Sequence, residues 1–141
     1  MTESNVPADT ARSTIRAYYD ALRNEEPLGP FFADGDIIKF GISETLVGTE
    51  AVREGLREQT RTTTDWAVES SALRVTERDD HARFADRVTL SWTDTGRQIR
   101  YEFDTRWSGT LERRSDDGTL TADEHATWRF VGMHVSTAGD V

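Results

Sequence analysis

Cysteine is absent from this 141-residue chain, which excludes disulfides, thiolate catalysis and zinc–thiolate sites. Lysine is nearly absent: of the 17 basic residues, all but Lys39 are arginine. Every apolar run falls well short of the roughly 20 residues a membrane helix requires. The first residues carry no signal-peptide pattern, so the expectation is a soluble, cytoplasmic protein. A phosphate-binding loop and a dinucleotide fingerprint are both missing. The histidines at 81, 125 and 134 are spaced like no metal site, and neither a metal nor a cofactor is expected.

What is present is acid. Asp and Glu number 26, the net charge is −9, threonine is abundant and large aliphatics are sparse. An acidic surface almost free of lysine has the look of adaptation to molar salt, where a Debye length of about 3 Å screens self-repulsion. An ordinary acidic bacterial protein is the other reading. Either way the balance opposes nucleic-acid binding, which runs on phosphate neutralisation, and no membrane partner is expected. The length fits one domain with a core of its own, drawn here as residues 9–137 between a frayed start (1–8) and a short tail (138–141).

Asp9 or Thr10 is positioned to cap a helix running to about Asn24, with Ile15, Tyr18, Tyr19 and Leu22 as its buried stripe. Pro27, Gly29 and Pro30 end it. Asp36 to Ile42 reads as a strand with Ile38, Phe40 and Ile42 in phase, followed by a turn and a short return strand. Thr49 is placed to cap a second helix to about Arg61, whose exposed face offers Glu50–Arg53, Glu54–Arg57 and Glu58–Arg61 pairs. Strands follow at about Trp66–Val75, His81–Thr93, Arg97–Arg113 and Thr121–Ser136, with turns at 77–80, 94–96 and 115–118; Asp117-Gly118 is the strongest hairpin signal. Helices first and a meander afterwards predict an α+β fold, its helices packed on one face of a curved antiparallel sheet.

Candidate chemistry sits on the strands. In the last one, strict alternation places Trp128, Phe130, His134 and Ser136 on one face, with Val131, Met133 and Val135 on the other. His134 is the leading acid–base candidate, with a core histidine held by backbone or tyrosine as the competing picture. Asp86 alternates with Phe84, Val88, Leu90 and Trp92, so its carboxylate is either paired or a desolvated base. Tyr101, Phe103, Thr105, Trp107 and Leu111 form the apolar face of the next strand, against Glu102, Asp104 and Arg106. A slip of one residue, as at a bulge, exchanges the two sets and brings Arg106 inward. Tyr18, Trp92, Tyr101, Phe103, Arg106, Trp107, Trp128 and Ser136 are the expected ligand contacts.

The order of elements resembles a known family. A long first helix, Phe31-Phe-Ala-Asp-Gly-Asp-Ile37 entering a strand, Val47-Gly-Thr-Glu-Ala-Val-Arg53 opening a second helix, and the closing meander resemble the NTF2-like superfamily. Within it the chain looks most like a SnoaL-like domain whose last strand ends in His-x-Ser, with Trp128, Phe130, His134 and Ser136 in the matching places. The resemblance covers roughly residues 8–137. It implies a cone-shaped barrel enclosing a pocket, usually in a homodimer. Relatives include ketosteroid isomerases, dehydratases and polyketide cyclases, which do acid–base chemistry on small hydrophobic substrates. They also include nuclear transport factor and the association domain of calmodulin-dependent kinase, which assemble. The isomerases' aspartate, tyrosine and second acid have no motif-matched counterparts here; Asp86, Tyr18 and Tyr101 match in type alone. Two readings therefore stand. One is acid–base catalysis on a small, partly apolar carbonyl compound, with Asp86 or His134 moving the proton and Tyr18 or Tyr101 donating to the oxyanion. The other is a binding or oligomerisation module.

Overall fold

The computed structural model describes residues 10–138; the expected frayed start, Asp9 and the tail beyond Ala138 lie outside them. Helix α1 spans Ala11–Arg23, and it begins where Thr10 and Ser13 form a reciprocal capping box. Its first N–H, at Ala11, donates to Glu77 Oε1 at 2.8 Å, and Arg23 in its last turn donates to the Val68 carbonyl. Both ends are thus tied to strands. Ile15, Tyr18, Tyr19 and Leu22 are buried, as the spacing predicts.

A 3-10 turn at Gly29–Phe31 leads to strands β1 (Ile38–Gly41) and β2 (Glu44–Val47), then helix α2 (Thr49–Thr62). Strands β3 (Thr63–Ser70), β4 (Arg74–Glu77), β5 (His81–Asp94), β6 (Ile99–Arg114) and β7 (Thr127–Thr137) complete the chain. The single strand expected over 66–75 is therefore two, and the last strand starts six residues later than expected, after a long turn region. The cap of α2 is Gly48, at φ 91°, rather than Thr49. The Thr49 hydroxyl instead exchanges hydrogen bonds with the backbone of Gly35. Arg53 turns from Glu50 to Asp34, while the Glu54–Arg57 and Glu58–Arg61 pairs form.

The strands join in the order β2-β1-β7-β6-β5-β3, with β4 also on β5. The class is α+β as expected, with the helices on a curved sheet that stays open. One pairing departs from a purely antiparallel sheet: β1 runs parallel to β7. Among the described residues, no helix is long and apolar enough to cross a membrane.

One irregularity decides what the sheet encloses. On β7, Phe130 opposes Leu111 and Gly132 opposes Thr110, so Val131 is an extra residue and the register shifts there. Trp128 and Phe130 face the core before the bulge, whereas Met133 and Val135 face it afterwards. The expected common face of Trp128, Phe130, His134 and Ser136 is broken, and His134 lies exposed on the outer face. A side chain at Gly109 would place its Cβ 2.4 Å from the Gly132 carbonyl oxygen, so the bulge closes only against glycine.

Gly109→Ala is expected to cost about 3 kcal/mol or more, because its clash is with backbone. Gly132→Ala, whose Cβ meets nothing within 4 Å, should be nearly neutral. Thermal unfolding of the two variants checks the contrast; equal midpoints would remove the bulge from its role.

Candidate functional site

Tyr18 and Tyr19 are consecutive on α1, so they point about 100° apart and enter different surroundings. Tyr19 donates to Asp86 Oδ2 at 2.8 Å; Ser70 donates to the same oxygen at 2.6 Å, and the Ala72 N–H to Oδ1 at 3.0 Å. Asp86 is buried and shares the core face of β5 with Phe84, Val88 and Leu90. Its two oxygens are spent on donors from α1, β3 and the β3–β4 connection. That arrangement fastens three segments together.

Tyr18 lies in an aromatic nest, edge-on to Phe31, Phe32, Phe130 and Trp107 with ring centroids 5.3–6.1 Å away. Tyr18 also lines a pocket of about 310 Å³ between α1, α2 and the curved sheet. Burial, and then the charge of Glu44, push its ionisation well above the ordinary tyrosine range; burial, then the hydrogen bond to Asp86, does the same for Tyr19. Both remain neutral donors throughout the working pH range. Their contribution to stability is complete below pH ~10 and declines above it, since the unfolded chain then loses phenolic protons that the folded chain keeps.

The charged pair in this pocket is Lys39 and Glu44. Lys39 sits on β1 opposite Met133 and faces inward, 5 % exposed, with Nζ donating to Glu44 Oε1 at 2.8 Å. The β1–β2 turn pairs Gly41 with Glu44, and a Cβ at Gly41 would stand 2.7 Å from Glu44 Cγ. Glycine there leaves the space through which the glutamate folds back over the lysine. Among the described residues Lys39 has no other hydrogen-bond acceptor, so two of its ammonium protons are free to meet a ligand.

Leu90, Trp107 and Val135 form the apolar floor, and Trp66 and Trp92 form one wall, stacked at 4.9 Å and 17°. Two residues of β3 oppose one of β5 between Thr64 and Ala67, with Asp65 at φ 55°, and this irregularity sets Trp66 over Trp92. Trp92 also meets Tyr101 and Phe103 at 5.7 and 5.6 Å, extending the aromatic row toward the β5–β6 turn beyond the pocket lining.

Of the residues singled out from sequence, the pocket brings together Tyr18, Trp92 and Trp107. Tyr101 and Phe103 share the inner face without lining it. Trp128 is fully buried beneath the Arg113 guanidinium, which lies 4.8 Å over its ring. Arg106 and Ser136 are cross-strand neighbours on the outer face. His134 stands on that face too, edge-on to Phe40 at 5.8 Å. Asp86 and His134 therefore do not converge: the bulge puts the sheet between them. Lys39, Glu44, Trp66 and Val135 were missed. The signal for Lys39 was compositional, a lone lysine among arginines.

A wider cleft of about 730 Å³ opens between the 3-10 turn, α2 and the β6–β7 connection. Arg53, Arg57, Arg114 and Arg129 border it, but Arg53 and Arg114 already hold Asp34 and Glu112, and none of the expected aromatic contacts reaches it. The smaller pocket is the better site because a half-buried ion pair, a tyrosine with no hydroxyl partner among the described residues and stacked indoles line it together.

A model of the SnoaL-like domain matches residues 11–139. The chain belongs to the SnoaL-like family. Solved structures repeat the fold of this SnoaL-like domain at low identity. A ketosteroid isomerase-like protein from Erwinia carotovora atroseptica is 16% identical, with 96% of this chain and 99% of that one covered at a TM-score of 0.71. An NTF2-like protein of unknown function from Pseudomonas putida KT2440 is 19% identical, covering 92% and 84% at 0.72. A nuclear transport factor 2 (NTF2-like) superfamily protein from Salmonella enterica is 15% identical, covering 90% and 87% at 0.72. No curated protein matches the chain by sequence. At these identities the likeness carries the fold, and the site must be argued from its own residues.

Asp86→Ala should destabilise the SnoaL-like domain by about 3 kcal/mol, since it orphans the Tyr19 hydroxyl in the core and strips two further donors of their acceptor. Urea unfolding followed by tryptophan emission measures this. A loss below about 1 kcal/mol would show that the three donors find other partners.

Proposed function

We propose that the pocket binds a small, partly apolar carbonyl compound and that the domain carries out acid–base chemistry on it with its own side chains. The observation that carries this reading is the Lys39–Glu44 pair, lining one aromatic-walled pocket with Tyr18, whose hydroxyl has no partner among the described residues. A carbonyl oxygen entering here meets the two unspent ammonium protons and the phenol, which polarise it and hold the oxyanion that develops when a proton leaves the adjacent carbon. Glu44, about one-third exposed at the pocket margin, is the group placed to take and return that proton. Trp66, Trp92 and Trp107 offer flat apolar surface to the rest of the molecule. In this reading Asp86 positions α1, and Tyr18 supplies the donor role for which Tyr101 was the alternative.

The binding-or-assembly reading draws on the outer face, where Phe40 and Val47 are 39 % and 61 % exposed on β1 and β2. A second copy of the chain is the occupant we assign to that face, with His134, Arg106 and Ser136 nearby. The homodimer is compatible with either use of the pocket. Analytical ultracentrifugation tests it: Phe40→Glu with Val47→Glu should shift a dimer to monomer, and a wild-type monomer at all concentrations removes it.

Solvent exchange at the carbon next to the carbonyl, followed by NMR in deuterium oxide across a panel of small enolisable ketones, tests catalysis. Glu44→Gln should slow exchange by about 10²-fold or more, and Tyr18→Phe by about 10²-fold. Ketones that raise the melting temperature without any exchange would leave a binding module in place of the enzyme.

A further inference from the structure

We propose that Lys39 is also a nucleophile, its Nζ condensing with an aldehyde or ketone held in the pocket to form an imine; this rests on reading the pocket as a carbonyl site. Two independent observations carry it. The first is composition. Wherever else this chain places a basic side chain it uses arginine. Both residues supply positive charge, but a guanidinium keeps its proton at any workable pH, whereas a lysine can give one up and present a lone pair. The single lysine is moreover not at the surface, where the choice between the two matters least for solubility. It is the buried one, lining the pocket.

The second observation is geometric. Glu44 Oε1 stands 2.8 Å from Nζ, within reach to take a proton from the ammonium and leave an amine. The amine's lone pair attacks the carbonyl carbon, and the carbon–oxygen π pair moves onto oxygen, next to the Tyr18 hydroxyl. A proton passes from nitrogen to that oxygen, giving a neutral carbinolamine. Glu44 then returns its proton to the carbinolamine hydroxyl, which departs as water while the nitrogen lone pair closes the carbon–nitrogen double bond. The sum is an ammonium and a carbonyl giving an iminium and one water, with Glu44 restored to a carboxylate. No oxidant, reductant or metal enters. The iminium is a stronger electron sink than the carbonyl, so the same Glu44 is placed to remove a proton from the neighbouring carbon. The two roles of the glutamate are successive uses of one position.

Lys39 is the sole lysine, so the test can be read without ambiguity. The intact chain is incubated with benzaldehyde and sodium cyanoborohydride, then mapped by peptide mass spectrometry for benzylation of Lys39 and of the N-terminal amine. Lys39 should label at least ~10-fold faster in the folded chain than in the same chain in urea, the advantage of a held orientation. Glu44→Gln should slow that labelling by ~10-fold or more with the circular dichroism unchanged, and Lys39→Arg should abolish it. Labelling confined to the N-terminus, or at Lys39 no faster folded than unfolded, overturns the proposal. Quenching of tryptophan emission by benzaldehyde without reductant separates the two layers. Saturable quenching with no Lys39 adduct ends the nucleophile alone. Absence of both ends the carbonyl pocket as well.

Discussion

The approach of one carbonyl oxygen to one glycine governs this molecule. Gly132 O occupies the space that a Cβ at Gly109 would need, and around that contact β7 carries its extra residue, Val131. Everything beyond Phe130 is therefore turned over relative to strict alternation. Met133 and Val135 go in, and His134 goes out. Because β1 takes its register from the same stretch of β7, pairing Lys39 with Met133, the turnover also determines which face of β1 looks inward. Lys39 enters the pocket while Phe40 and Ile38 face outward. A local packing event on one strand thus chooses the chemistry of a pocket whose charged pair sits on two others.

The two buried charged groups of the pocket side of the sheet illustrate how differently burial can be resolved. Asp86 is surrounded by donors, and each of its oxygens is engaged. Its desolvation is offset inside the fold, and it acts as a fastener. Lys39 is held by one acceptor, and that acceptor reaches the pocket margin. Burying one member of an ion pair adds little to stability compared with an apolar residue of similar volume. Among the described residues two ammonium protons of Lys39 stay unpaired, and the proposed carbonyl ligand is what would accept from them.

Much of the frame was legible in the sequence, because amphipathic helices and long antiparallel strands obey simple periods. The stripe of α1, the inward set Phe84, Asp86, Val88 and Leu90, and the inward set from Tyr101 to Leu111 all follow from spacing. The site was less legible, and the reasons are local. A bulge leaves no mark in the alternation of Trp128-Arg-Phe-Val-Gly-Met-His134 except its glycine, and that glycine needs a partner glycine 23 positions away. On β1, Ile38 and Phe40 look like part of a buried face with Ile42, but the strand lies next to a short outer strand and presents them outward, while Ile42 falls in the turn at the pocket margin. The strand's charged residue is the one that goes in. Asp86 was correctly placed on an apolar face, but spacing alone gives no count of donors from α1 and β3, and those donors separate a fastener from a base.

The neighbouring tyrosines show how the fastener and the pocket depend on one another. Helix α1 is restrained at its start by the Glu77 carboxylate and at its end by the Val68 carbonyl, but neither contact fixes rotation about the helix axis tightly. The Tyr19 hydroxyl on Asp86 does, because it ties a point on the helix surface to the middle of β5. Tyr18 follows rigidly, one residue or about 100° around the helix. Its ring is gripped edge-on by Phe31, Phe32, Phe130 and Trp107, and it lines the same pocket as the Lys39–Glu44 pair. A donor meant to stabilise developing charge is effective in proportion to how little it must reorganise when the charge appears. Asp86 thus contributes to the pocket without touching it, by holding the helix that aims the phenol.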